Sequence, residues 1–183
     1  MDITLRPARP ADAEEMARWF VDLTDLATWG GPEVRFPLTA EQMTAWIAEG
    51  ANPTPRLCFT AVDAADLPVG HVEFLHDPAK RWARLGRFAI APALRGRGFG
   101  WALFNRAVAY AFTELDVEHL ALAVVAENER ARRLYVSCGF RDEGVVPGEW
   151  TVAGKPYVMN VMGLIRGDWL SRTRSPADAM KVA

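Results

Sequence analysis

Phe88-Ala89-Ile90-Ala91-Pro92-Ala93-Leu94-Arg95-Gly96-Arg97-Gly98-Phe99-Gly100 is the stretch on which the reading of this chain turns. The run from Trp82 to Ile90 reads as a strand, and Ala91-Pro92 ends it. Beyond the glycines, Trp101 to about Leu115 carries Leu103, Phe104, Ala107, Val108 and Ala111 as the apolar stripe of a helix. A strand therefore meets a helix across a turn rich in residues without a Cβ, and such a turn lets backbone approach an anion closely. The first N–H groups of the helix lack internal partners, and the helix dipole favours negative charge there. Together these features suit a diphosphate, and Arg95 and Arg97 add positive charge beside it. The turn is not a nucleotide-hydrolysing loop, because Phe99-Gly100-Trp101 stands where Gly-Lys-Ser or Gly-Lys-Thr would be needed. It is a poor dinucleotide fingerprint too, because the strand is not N-terminal and no suitably placed acidic residue follows. The alternative is a glycine-rich turn with solvated arginines.

On the C-terminal side, His119 to Val125 is a nearly continuous apolar run, as in a strand buried on both faces. Asn128 caps a short helix that stops at Gly139. Two strands follow, Arg141 to Val152 and Pro156 to Leu164, with Ala153-Gly154 at their turn. On the N-terminal side, Ile3 to Arg6 alternates like a strand. Asp12 opens a helix from Ala13 to about Leu23, and Trp29-Gly30-Gly31-Pro32 reads as a loop. Thr39 with Gln42 forms a capping-box signature for a second helix reaching about Glu49. Leu57 to Val62 and Pro68 to Leu75 are strands. The order β-α-α-β-β-β-α-β-α-β-β describes one α/β domain with a mixed sheet over residues 1–168, and residues 169–183 read as a polar tail.

Composition narrows the function classes. The chain has 183 residues, half of them apolar, and a formal charge of -2, which suits one domain with a sizeable core. Near-neutral charge gives no global reason for a nucleic-acid or anionic-membrane partner. No apolar stretch is long enough to span a bilayer, and Met1-Asp2-Ile3-Thr4 lacks a signal-peptide pattern, so the expectation is a cytoplasmic protein. Two cysteines, Cys58 and Cys138, and three scattered histidines give neither a disulfide framework nor a metal-ligand spacing. No metal is expected.

The motif Arg95-x-x-Gly98-x-Gly100, with its upstream strand and Pro92, resembles the pyrophosphate motif of the GNAT N-acetyltransferase superfamily. About thirty residues on, Asn128-Glu129-Arg130-Ala131-Arg132-Arg133-Leu134-Tyr135, followed by Gly139-Phe140, resembles the family's second signature. Leu5-Arg6-Pro7-Ala8 with Asp12 resembles its opening strand and helix cap. The resemblance is strongest to the bacterial branch of spermidine and ribosomal-protein acetyltransferases. It implies an α/β (α+β) fold with a single mixed, mostly antiparallel sheet, two splayed parallel strands and about four helices. It also implies acetyl-CoA as cosubstrate. Phe88, Ala89 and Ile90 would pair with the pantetheine arm, and Arg95, Gly96, Arg97, Gly98, Phe99 and Gly100 would hold the pyrophosphate. Asn128 and Ala131 would contact CoA. The family often uses the tyrosine matching Tyr135 as the acid that protonates the departing thiolate. Asn128 and Tyr135 are two helical turns apart and share a face, and a phenol's pKa is close enough to a thiol's for such a transfer. The alternative for Tyr135 is a packed structural tyrosine. One departure is Arg84, near a position where relatives often carry a glutamate.

A base for the attacking amine is less defined. Glu73, flanked by apolar neighbours on its strand, is the leading candidate, because desolvation raises a carboxylate's pKa. The alternative is a surface carboxylate. Glu149 is a weaker candidate, and His71 reads as structural. In this fold the acceptor pocket draws on the first helices and last hairpin, which supply Trp29, Phe36, Trp46, Trp150 and Tyr157, either as pocket or as core. Asp25 and Glu33 could attract a cationic amine. Arg81, Arg84 and Arg87 could serve CoA phosphates or a solvated face. The reading is an acetyl-CoA-dependent N-acetyltransferase acting on a primary amine (a small amine, polyamine or peptide N-terminus) by direct attack. The rivals are a non-catalytic CoA-binding or regulatory module and an RNA-binding protein using Arg95-Gly96-Arg97-Gly98, the latter disfavoured by overall acidity. Family habit implies a homodimer.

Overall fold

The structure, a computed structural model, describes residues 3–49, 55–147, 151–152 and 155–173. Its centre is the pair that frames the glycine turn. Strand β4 (Trp82–Ile90) runs parallel to β5 (His119–Val125), and each belongs to one seven-stranded sheet of order β1-β2-β3-β4-β5-β9-β6. The other neighbours pair antiparallel: β1 (Thr4–Pro7), β2 (Arg56–Val62), β3 (Pro68–Asp77), β6 (Arg141–Val146) and β9 (Met159–Ile165). A separate hairpin joins β7 (Thr151–Val152) to β8 (Lys155–Pro156).

The parallel pairing covers Trp82–Leu85 against His119–Leu122 and stops there. The local cause lies on the other edge of β4. His71 faces Ala89 and Glu73 faces Gly86, so β4 carries one extra residue opposite β3. Arg87 sits in that bulge with φ +44°, a left-handed conformation that costs a non-glycine residue energy. A bulge bends its strand and strengthens the twist, so the end of β4 turns away from β5 and the two strands part.

Helix α4 (Phe99–Thr113) crosses one face of the sheet between β4 and β5. Its buried residues Leu103, Phe104, Ala107, Val108, Ala111 and Phe112 pack on Phe74, Leu85, Leu120, Leu122, Met162 and Leu164. Gly70 of β3 allows the close approach, because a Cβ there would lie 2.6 Å from Leu103 Cδ2 and 3.0 Å from the Ala89 carbonyl oxygen. Helices α5 (Glu129–Ser137) and α6 (Arg166–Thr173) join the same core through Tyr135 on Phe104 and Trp169 stacked on Phe112. The opposite face of β2–β4 carries α1 (Ala13–Ala17), α2 (Leu23–Gly30) and α3 (Ala40–Glu49), with Met16, Trp19, Phe20, Leu26 and Met43 around Ala89 and Ala91.

Several expectations need correction. The single helix from Ala13 to Leu23 is two: α1 tightens at its end, with Arg18 N–H bonding the Glu15 carbonyl and Trp19 N–H that of Met16. Asp22 then caps α2 by accepting from Asp25 N–H at 2.8 Å. This helix runs into the expected Trp29-to-Pro32 loop and ends only at Gly31, φ +73°. Thr39 does cap α3 by accepting from Gln42 N–H, but the Gln42 side chain donates to the Pro37 carbonyl instead of closing a capping box. Asp12 makes no side-chain cap for α1. It is 3 % exposed and accepts two bonds from the Arg6 guanidinium at 2.8 Å, one from Arg9 N–H and one from the Thr60 hydroxyl. With α2 and α6 counted, the described residues form six α-helices where about four were expected, and α6 extends through Thr173, past the start of the expected tail. No described helix is long and apolar enough to cross a membrane.

Candidate active site

The parted ends of β4 and β5 open a cleft of about 450 Å³. Leu85 to Ile90 form one wall and Leu122 to Val125 the other. Gly96, Gly98, Gly100 and Trp101 close one end, α5 contributes Asn128, Arg130, Ala131, Leu134 and Tyr135, and α2 contributes Asp25, Thr28 and Trp29. The two sequence motifs, some thirty residues apart, thus face one space.

The glycine turn has the geometry its sequence implies. Gly96 (φ +78°) and Gly98 (φ +87°) adopt left-handed conformations, and Gly98 stands at the N-cap of α4 with no side chain capping that end. The first N–H groups of a fifteen-residue helix therefore point at the cleft without an internal partner. Arg95 lines the cleft but is also a staple. Its Nε donates to the Ile90 carbonyl at 3.1 Å, and its terminal nitrogens reach the Trp19 carbonyl and Asp25 Oδ2. Arg97 and Phe99 are not among the lining residues, and Phe99 packs against the core instead. Arg130 and Trp101 do line the cleft, and sequence reasoning did not single them out. Their signal is positional: each sits in the first turn of a helix that begins beside the anion cradle.

Asn128 caps α5, its Oδ1 accepting from Ala131 N–H at 3.1 Å, which leaves the side-chain NH₂ to face the cleft. Tyr135 is 8 % exposed, wedged against Phe104 at a centroid distance of 4.8 Å. Burial, then the neighbouring Cys138, pushes its phenol well above the ordinary tyrosine value, and no described residue hydrogen-bonds its hydroxyl. The phenol is thus held protonated at the wall of the cleft. A thiolate leaving in the same desolvated setting has its own basicity raised in the same sense, so proton donation stays feasible.

Glu73 is where the structure departs most from expectation. It does not line the cleft. Its Oε1 accepts from Trp46 Nε1 at 2.7 Å and lies 3.0 Å from His71 Nε2, while Oε2 pairs with Arg87 at 3.3 Å and Arg56 at 3.7 Å. Burial raises its pKa, as anticipated, but the His71 contact, the Arg87 charge and the Trp46 N–H outweigh burial and hold the carboxyl below the ordinary glutamate range. A carboxylate so engaged is a poor proton acceptor. It anchors Arg87, which also donates to the Gly30 carbonyl and Glu33 and so ties the bulge to α2.

Of the acceptor-pocket candidates, Trp29 lines the cleft and donates its indole N–H to the Arg87 carbonyl at 2.8 Å. Tyr157 is buried beside Thr28, its hydroxyl 3.3 Å from the Thr28 hydroxyl. Phe36 is exposed and lies away from the cleft, and Trp46 lies under the guanidinium groups of Arg56 and Arg87. Trp150 and Glu149 fall outside the described residues. Neither cysteine lines the cleft, and burial pushes the Cys58 thiol up to about 12. Among the described residues no cluster of His, Cys, Asp and Glu has metal-site geometry.

Comparison with known proteins places this architecture. The chain is 32% identical over 115 residues to a spermidine N(1)-acetyltransferase of Vibrio cholerae, covering 63% of this chain and 66% of that protein. It is 28% identical over 93 residues to a putative ribosomal N-acetyltransferase of Bacillus subtilis, covering 51% of this chain and 50% of that one. These matches thus span just under two thirds and about half of the relatives' lengths. The crystal structure of the Vibrio cholerae spermidine N-acetyltransferase in complex with CoA and spermine superimposes with a TM-score of 0.77 at 25% identity, covering 92% of this chain and 98% of that one. The sequence profile of the acetyltransferase (GNAT) domain matches residues 2–141, and with the parted strands, glycine turn and Asn128–Tyr135 helix already in place, the chain belongs to the GNAT acetyltransferase family.

Proposed function

We propose that this chain transfers the acetyl group of acetyl-CoA to a primary amine by direct attack, with Tyr135 as the acid at the departing sulfur. The observation that carries the reading is the parting of β4 and β5 beyond Leu85 and Leu122, which joins an anion cradle at one end to a protonated phenol in the wall. The β5-facing edge of β4 beyond Leu85, which no strand pairs, suits the amide-bearing pantetheine arm, and the α4 N-terminus with Gly96 and Gly98 suits the pyrophosphate. The Asn128 amide is free to donate to the same arm. Direct attack fits because no cysteine lines the cleft and both thiols are pushed up by burial, leaving no thiolate to carry an acyl group. Among the described residues Asp25 is the one carboxylate lining the cleft, so the amine's proton passes to it or to water at the mouth.

A non-catalytic CoA-binding module would need the cradle but no acid. Tyr135 separates the two readings. Calorimetric titration with acetyl-CoA should show saturable binding that ATP and NAD do not reproduce. Tyr135→Phe should lower kcat by about 10²- to 10⁴-fold, the usual worth of a positioned acid, and leave acetyl-CoA affinity within about threefold. An undiminished kcat in the variant would remove the acid from Tyr135.

A further inference from the structure

Relatives of this chain are named for spermidine and for ribosomal acetylation, yet the described residues of this cleft do not gather a cluster of carboxylates. Among the described residues, Asp25 is the one carboxylate lining the cleft, and it faces Arg95 of the glycine turn at 3.5 Å. Among the described residues beneath the mouth, Arg56, Arg84 and Arg87 stand against Glu73 and Glu33, leaving one cation in excess. Arg87 bridges both glutamates and Arg56 lies by Glu73, so the excess charge falls to Arg84.

Arg84 is not itself among the residues lining the cleft; it immediately precedes the first of them on β4, Leu85. It lies two residues before Gly86 on β4, ahead of the bulge, so both side-chain positions face the same side of the sheet, about 6.6 Å apart along the strand. That side is open. Nothing stands within 4 Å of where a Gly86 Cβ would be, and Ala123, exposed on β5, adds only a methyl group to the floor. Arg84 is exposed and makes no ion pair with a described carboxylate.

Resting on the acetyltransferase reading above, we propose that Arg84 forms an anion subsite of the acceptor pocket, and that the acceptor is a small amine bearing a carboxylate close to its amino group, not a polyamine. The amine enters over Gly86 toward Tyr135, while the planar guanidinium of Arg84 receives the carboxylate from the side.

The test compares matched amines with and without the carboxylate: L-tryptophan against tryptamine, L-phenylalanine against phenethylamine and L-lysine against cadaverine, with spermidine alongside. In at least one pair the carboxylate-bearing member should have the higher kcat/KM, by about 10- to 100-fold, as a charge-assisted hydrogen bond supplies. Arg84→Gln should collapse that ratio toward one, and Arg84→Lys should restore part of it. Acetyl-CoA affinity, read by calorimetry, reports the integrity of each variant. Preference for spermidine or for the decarboxylated members overturns the proposal. So does failure of every carboxylate-bearing amine in a protein that binds acetyl-CoA, or a ratio that survives Arg84→Gln; all three leave the acetyl-CoA reading standing. Absence of acetyl-CoA binding brings down both.

Discussion

Single residues in this chain carry charges whose meaning depends on partners far away in sequence. Asp12 illustrates the energetics. Burial pushes its carboxyl up, but bonds from the Arg6 guanidinium, Arg9 N–H and the Thr60 hydroxyl bring it down to about 2. An unfolded aspartate titrates near 3.9, so the group contributes stability above about pH 4 and loses it as pH falls toward 2. Asp12→Asn should cost about 2 kcal/mol at neutral pH and flatten the acid limb of the stability curve, read by urea unfolding between pH 2 and pH 7. An unchanged acid limb would mean that the Arg6–Asp12 pair holds nothing. Residue types at motif positions, by contrast, are legible directly. The glycines and the Asn128–Tyr135 spacing identify themselves because each works within one turn or one helix. The apolar neighbours of Glu73 on β3 predict a raised pKa, but the contact with His71, two residues away, reverses it first, aided by Arg87 and Trp46, whose approach from 14 and 27 residues away the sequence does not show.

At the scale of elements, most strands and the long helix follow from local periodicity, and the errors fall where tertiary contact decides. Gly30-Gly31-Pro32 punctuates the sequence as a loop, yet α2 runs through Gly30, and the α1–α2 boundary lies earlier, where Asp22 caps α2 inside the stretch that reads as one helix. The bulge in β4 has no sequence signal, since Arg87 is not a glycine, and its left-handed backbone is held by Glu73, Glu33 and the Gly30 carbonyl. The seating of α4 on β3 is equally nonlocal, and it makes Gly70 a sensitive position. Gly70→Ala should push Leu103 and Ile90 outward, costing about 1–3 kcal/mol as overpacking does. Ile90 and the first turns of α4 are both cleft walls, so acetyl-CoA affinity should fall together with the melting temperature. A variant that melts lower but binds acetyl-CoA unchanged would show that the cleft does not depend on this contact.

Over the whole molecule, the sheet consists of two blocks, β1–β4 and β5–β9–β6, joined in the described residues by four parallel residue pairs and the α4 crossover. A ligand lying between the parted strands contacts both blocks. Acetyl-CoA at a hundred times its Kd should therefore raise global stability by about 2.7 kcal/mol, if it binds the folded chain alone. The amides of both β4 and β5 should gain protection from hydrogen exchange, and protection confined to one strand would argue against a ligand bridging the two.

The margins of this sheet and its middle treat exposed backbone in opposite ways. At the margins, Pro7 ends β1, while β6 is interrupted by a bulge near Gly144 and carries Arg141, Asp142 and Glu143. These features discourage another protein's strand from adding on. In the middle, β4 and β5 turn bare edges toward each other, yet α2 and α5 flank the opening. Width is the gatekeeper there: a single thread can lie along those edges, while a second polypeptide sheet cannot reach them. Backbone that would make the molecule sticky on its rim serves, in its interior, as a selective rail.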